Sequence, residues 1–115
     1  VFNTICGNGD DHPRNHGFVH SKGQWQLAPA FDIAPHPAYA GVQAMAVTRT
    51  GSAIATQANL LLDAHRFGWG QPEALAFITQ AREVYLDLWP QIIQSLGVSA
   101  KALPATDPLR WLQPA

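Results

Sequence analysis

The sequence predicts a mainly α domain with one β-hairpin near its beginning, and three observations carry that expectation. Strand-like alternation is confined to residues 17–28. After residue 56, helix start and stop signals follow one another with three-four apolar spacing between them. With 47% hydrophobic residues over 115 positions, the chain can bury a real core.

Taken in order, Val1 to Cys6 reads as the end of a helix. Gly7 and Gly9 bracket Asn8 and are expected to supply the positive-φ positions that stop it. Because this apolar opening already looks like the interior of an element, the chain is expected to be part of a longer one. The motif loop Gly9-Asp10-Asp11-His12-Pro13-Arg14-Asn15-His16 follows. Then Gly17-Phe18-Val19-His20 and Gln24-Trp25-Gln26-Leu27 flank Ser21-Lys22-Gly23, with Trp25 and Leu27 alternating against Gln24 and Gln26, the pattern of a hairpin. A hairpin returns the chain to its origin, so the residues after Leu27 are expected beside His16. Pro29, Pro35 and Pro37 impose an irregular loop there, as Pro13 does within the motif. Residues 40–55 are small and apolar, with no clear period.

The helical part is expected over 56–112. A first helix runs from about Gln57 to Arg66, with Thr56 as N-cap and Gly68 as stop. Gly68-Trp69-Gly70, without a preceding strand or a following Lys, reads as a helix–helix turn. A second helix starts near Pro72, with Glu73 where a negative charge suits the helix dipole. Its apolar face is Ile78, Ala81, Tyr85, Leu88, Trp89, Ile92 and Leu96. Pro90 should bend it and Gly97 end it. A short last helix is expected over 108–112. Trp25, Trp69, Trp89 and Trp111 are read as core or groove packing.

Charge excludes several function classes. Net charge is −1, and the seven basic residues, Arg14, Lys22, Arg49, Arg66, Arg82, Lys101 and Arg110, stand singly, so no stripe could track a nucleic-acid backbone. No apolar run reaches the roughly 18 residues that suggest a membrane span. The single Cys6 can form no internal disulfide, in keeping with a reducing cytoplasm, where the protein is expected.

The chemistry-bearing residues are Asp10, Asn15 five positions on, and Asp32 beyond the hairpin. Phosphoryl transfer to a hydroxyl needs a carboxylate to orient that hydroxyl and accept its proton, and oxygen ligands to hold magnesium against nucleotide phosphates. Asp10 suits the first task. Asn15 and Asp32 form a hard-oxygen pair for the second, leaving the other magnesium positions to water and phosphate. His12 could steady the loop or bond a phosphate or carboxylate, and Arg14 could add positive charge; the sequence assigns neither role. Asp and Asn are also the commonest turn residues, so the spacing alone favours a structural loop, and it is the combination with Gly7, Gly9, His12, the hairpin and Asp32 that tips the reading to chemistry. A rival chemistry makes His12, His16 and His20, with Asp10 and Asp11, ligands of zinc or iron, as in a metal-site hydrolase. Pro13 and the glycines argue against the helix that a His12–His16 pair would need. His36 and His65 read as ordinary surface residues.

Gly7 to Phe18, followed by Leu27-Ala28-Pro29-Ala30-Phe31-Asp32-Ile33, resembles the C-terminal lobe of HipA-like serine/threonine protein kinases, the toxins of bacterial toxin–antitoxin modules. The motif part of the likeness covers residues 2–37. Gly9 to Asn15 is also similar to the G-D-R-H-x-x-N loop of phosphoinositide and related kinases. The resemblance implies a protein-kinase-like C-terminal lobe with a catalytic loop and one β-hairpin, followed by a helical bundle. Residues 1–37 would carry the catalytic loop, hairpin and metal-binding segment of a single domain, 1–115. It implies that Asp10 is the catalytic base, that Asn15 is a magnesium ligand, and that Asp32 is the counterpart of the metal-binding Asp of the Asp-Phe-Gly motif, here followed by Ile33. His12 corresponds to a His of the same loop, whereas Asp11 stands where some members carry Gly. The implied donor is ATP with magnesium and the implied acceptor a protein Ser or Thr hydroxyl. The implied partner is an antitoxin with a helix-turn-helix domain, through which any DNA contact would come. No loop over the phosphates and no strand Lys to pair with them can be found, so the isolated lobe is expected to be inactive. The alternative from another class is a catalytically silent interaction module that keeps the lobe.

Overall fold

A computed structural model of the chain describes residues 1–36 and 39–99. Among these residues there are three α-helices and one two-stranded antiparallel hairpin. The helix expected over 108–112, Trp111 and Pro37 lie outside the described residues.

Helix α1 spans Phe2–Cys6 and stops at Gly7, where its sequence suggests a stop. Gly7 adopts the left-handed conformation, and the Asn3 carbonyl accepts from the N–H groups of both Gly7 and Asn8, closing a Schellman cap. Gly9 does not have a positive φ, contrary to the expectation above. Its lack of a side chain serves close packing instead. A Cβ there would lie 2.9 Å from Tyr39 Cδ2 and 3.1 Å from the Val42 carbonyl oxygen.

Strands β1 (Phe18–Ser21) and β2 (Gln24–Leu27) pair Phe18 with Leu27 and Ser21 with Gln24. Lys22 and Gly23 turn between them with φ of 50° and 79°, the double left-handed combination of a type I′ turn, whose twist matches the strands. Beyond the ladder, Ala28 N–H donates to the Gly17 carbonyl at 2.8 Å, so the chain does return beside His16. Trp25, read above as core or groove packing, is not core: every residue of both strands is exposed and Trp25 retains 73% of its surface. Among the described residues no element covers either face; the His20 and Trp25 rings pair across the strands instead, 5.2 Å apart.

The long connection after the hairpin is fixed by backbone hydrogen bonds. His36 N–H donates to the Gly7 carbonyl, Ala44 N–H to that of Gly9, and Gln43 N–H to that of Ala53. Val42 and Ile54 form an isolated antiparallel bridge. These pairings cross between segments, which is why residues 40–55 have no local period.

Helix α2 (Gln57–Leu62) begins as expected, with the Thr56 hydroxyl accepting from Asn59 N–H at 3.1 Å. It ends earlier than the spacing suggests. The Asp63 carboxylate accepts from Arg49 N–H at 2.6 Å, and the chain tightens into a 3-10 turn over Ala64–Phe67 before left-handed Gly68. Helix α3 (Gln71–Ser95) carries Pro in its first turn, Glu73 accepts from Gly70 N–H at 3.0 Å, and the helix runs through Pro90.

The core forms where α1 crosses α3. Ile5, Cys6 and Tyr85 are buried together, with Leu60, Ala81 and Trp89 packed against them. Tyr85 stacks on Trp89 at 5.3 Å and meets Phe2 edge-on at 6.4 Å. Ile78 is buried as the spacing predicts, but Leu88, Ile92 and Leu96 are exposed. The reason is length: at about 1.5 Å per residue a 25-residue helix outreaches its five-residue partner several-fold. Trp69 is groove rather than core packing: 40% exposed, it meets Phe77 edge-on in the wall of an open hollow. No described helix is long and apolar enough to cross a membrane.

Truncating Ile5 to Ala, at a site with 0% exposure, should cost about 2–5 kcal/mol, read as a lowered midpoint in urea unfolding. Burial leaves Cys6 only 1% exposed and pushes its thiol pKa up, so less thiolate is present at a given pH. Alkylation of Cys6 should therefore be slow in the native protein and should accelerate on denaturation, a contrast that mass spectrometry resolves.

Candidate functional site

The loop after α1 enters a 3-10 turn, Pro13–Asn15, with proline in its opening position. Asn15 N–H donates to the His12 carbonyl at 2.9 Å, and His16 N–H to that of Pro13 at 3.2 Å. This tight turn buries Asn15, 9% exposed, while Asp10 at the mouth of the loop stays exposed. The Asn15 side-chain NH2 is turned toward the Asp10 carbonyl at a long 3.5 Å.

Asp32 comes to this loop from the far side of the hairpin. Its φ of 56° is left-handed, a conformation rare for a residue with a Cβ and least unusual for Asn and Asp. Asp10, Asn15 and Asp32 line one open cleft of about 390 Å³, together with Asn8, Gly9, Ala34, Pro35, His36, Tyr39, Ala40 and Val42. The structure thus brings together the three residues that the sequence singled out. Two Asp and two Asn, Asn8 among them, are in its lining, with no Lys or Arg among the described lining residues. Such a donor set suits a hard divalent cation held by oxygen.

His12 and Arg14 do not line the cleft. Arg14 is exposed, and His12 Nδ1 is buried with no hydrogen-bond partner among the described residues. The rival zinc or iron reading finds no support: among the described residues, no three His, Cys, Asp or Glu side chains gather as a metal-ligand group. His16 is instead paired with Asp11 at 2.9 Å.

Sequence reasoning missed the polar frame behind the loop. Asn8 Nδ2 donates to Asn3 Oδ1 at 3.1 Å, and Asn3 Nδ2 to Asp11 Oδ2 at 2.7 Å. Asn8 is buried, and its position between two glycines was the available signal. Sequence reasoning also missed Tyr39 and Gln43, both buried, where Gln43 Nε2 donates to the Tyr39 hydroxyl at 2.8 Å. Burial pushes that hydroxyl above its ordinary pKa against the pull of the Gln43 bond, so the phenol is neutral at physiological pH. Nothing in the period-less segment 40–55 points to this pair.

Replacing Gly9 with Ala should destabilise the domain by about 1–3 kcal/mol, because the new methyl meets the Tyr39 ring and a backbone carbonyl that cannot both retreat. Thermal unfolding would measure this, and an unchanged midpoint would refute the close-packing role.

Residues 1–89 match the family model described as the HipA-like C-terminal domain. No curated protein and no solved structure matches the chain.

Proposed function

The chain belongs to the HipA-like C-terminal domain family, and on that footing we propose that it is the catalytic half of a serine/threonine protein kinase. The observation that carries the reading is the meeting of Asp10, Asn15 and Asp32 around one cleft. Asn15 and Asp32 would hold magnesium through oxygen, and their chemistry fits that ion. Magnesium, when bound, neutralises charge on the phosphates of ATP. Asp10 orients the acceptor Ser or Thr hydroxyl and takes its proton as the oxygen bonds to the γ-phosphorus and ADP departs. His12, whose buried Nδ1 has no partner among the described residues, would stand beside the loop, and exposed Arg14 would add positive charge outside the cleft.

On this reading an upstream lobe supplies the ATP-covering loop and the strand Lys, and the 115-residue chain alone is inactive. The setting is bacterial and cytoplasmic, with a helix-turn-helix antitoxin as partner and a protein as substrate.

One observation favours a second reading, a silent interaction module. Phe18, Trp25, Phe67 and Leu96 each expose 70% or more of their surface. The two readings part in one experiment on the polypeptide joined to its upstream lobe. If the domain is catalytic, Asp10→Asn should reduce ATP-dependent protein phosphorylation by about 100-fold or more with the fold intact by circular dichroism. Asp32→Ala should abolish magnesium-dependent nucleotide binding in titration calorimetry. Wild-type protein that binds no nucleotide, or an Asp10→Asn variant of full activity, would favour the module.

A further inference from the structure

The side chains of Asp10 and Asp11 belong to different surroundings. Asp10 lines the cleft shared with Asn15 and Asp32, whereas Asp11 lines a separate hollow beside Asn3, Thr4 and Gln43. There both oxygens of Asp11 are engaged. Oδ2 accepts from Asn3 Nδ2 at 2.7 Å, and Oδ1 lies 2.9 Å from His16 Nε2. The Asp11 side chain is only 15% exposed, against 47% for His16.

The connectivity gives these bonds a purpose. Asn3 sits on α1, whose Ile5 and Cys6 are fixed in the core, and its own amide oxygen is held by Asn8. Asp11 follows Asp10 directly, and His16 follows Asn15 directly. One carboxylate therefore ties the two ends of the 11–16 loop to each other and both to the packed helix. The loop between them contains proline and a single 3-10 turn, with two backbone hydrogen bonds of its own. The tie adds to the long Asn15 Nδ2 contact with the Asp10 carbonyl, the turn's own bonds and the Ala44–Gly9 bond, and it is the one side-chain link that joins both ends of the loop to α1.

We propose that Asp11 is a positioning residue, a clamp through Asn3 and His16 that sets where Asp10 and Asn15 stand in the cleft. This rests on the kinase reading, in which those two side chains address the hydroxyl and the metal. Misplacing a catalytic group by about 1 Å can cost on the order of 100-fold in rate, so a clamp outside the cleft has a large lever on the chemistry inside it.

The test uses the polypeptide with its upstream lobe and compares wild type, Asp11→Ala, Asp11→Asn and Asp10→Asn. Hydrogen exchange of residues 11–17 and the magnesium dependence of phosphoryl transfer are measured together. In Asp11→Ala, exchange in the loop should quicken by about 10-fold, and the half-saturating magnesium concentration should rise by about 5-fold, with a lower kcat. Asp11→Asn keeps an oxygen for Asn3 and an NH2 for His16, and should return both readouts to within about 3-fold of wild type. A slower Asp11→Ala enzyme with unchanged exchange and unchanged magnesium dependence would overturn the clamp, since a merely structural loss only reduces the number of active molecules. So would failure of Asp11→Asn to rescue. If Asp10→Asn is inactive and Asp11→Ala matches wild type, only the clamp falls. If the wild type transfers no phosphate, or Asp10→Asn is as fast, the kinase reading falls and takes this role with it.

Discussion

Two backbone hydrogen bonds hold the candidate site together: His36 N–H to the Gly7 carbonyl at 3.1 Å and Ala44 N–H to the Gly9 carbonyl at 2.7 Å. They lay the segment after Asp32 across the loop that contains Asp10. The hairpin brings the chain back only as far as Gly17, where Ala28 pairs with it. From there to the cleft the path is irregular, and these two bonds, with Tyr39 packed over a bare Gly9, decide where it runs. Loop backbone that is paired in this way satisfies its own polar groups while forming the wall of a cleft.

The same residues connect the cleft to the hydrophobic core. Gly7 caps α1, α1 buries Ile5 and Cys6 against Tyr85, and α3 spans the far side. The described core is small, and several large apolar side chains lie outside it, among them Phe67 at 80% exposure and Trp25 at 73%. Rigidity in the loop is therefore drawn from directional bonds more than from packing volume. The Asn8–Asn3–Asp11 chain and the Tyr39–Gln43 pair are partly or wholly buried polar contacts, and buried polar groups that find partners fix a geometry more narrowly than apolar contacts do.

Much of this was legible in the sequence where local chemistry dominates. The Lys22-Gly23 turn, the Thr56 cap and the Pro72–Glu73 helix start all follow from one or two residues, and all are found, whereas Gly68 ends the 3-10 turn after α2 and not α2 itself. The three cleft residues were legible because their types and spacing imply a chemistry, and the hairpin between them implies convergence. What was not legible depends on distant partners. Gly9 looked like a positive-φ glycine because its neighbours Gly7 and Asn8 form a helix cap, yet its reason lies thirty residues on, at Tyr39. The last turns of α3 carry a helical apolar stripe, but a stripe states only that a face could be covered, and Leu88, Ile92 and Leu96 extend beyond the five-residue helix they would pack on. The Asp63–Arg49 bond that shortens α2 joins residues with no common period.

Asp32 shows how the irregular wall and the chemistry are coupled. Its left-handed backbone costs of order 1 kcal/mol, and strain of this kind persists only where the surroundings over-determine it. The surroundings here are restrictive: Pro29 and Pro35 limit the chain on either side, and the His36–Gly7 bond fixes its exit. A glycine would relieve the strain but would remove the carboxylate from the cleft. A β-branched residue would be worse on both counts. An acidic residue with the shortest side chain is thus one that this backbone tolerates, and under the kinase reading proposed above it is also the residue that would hold the metal, so on that reading fold and site constrain the same position in the same direction.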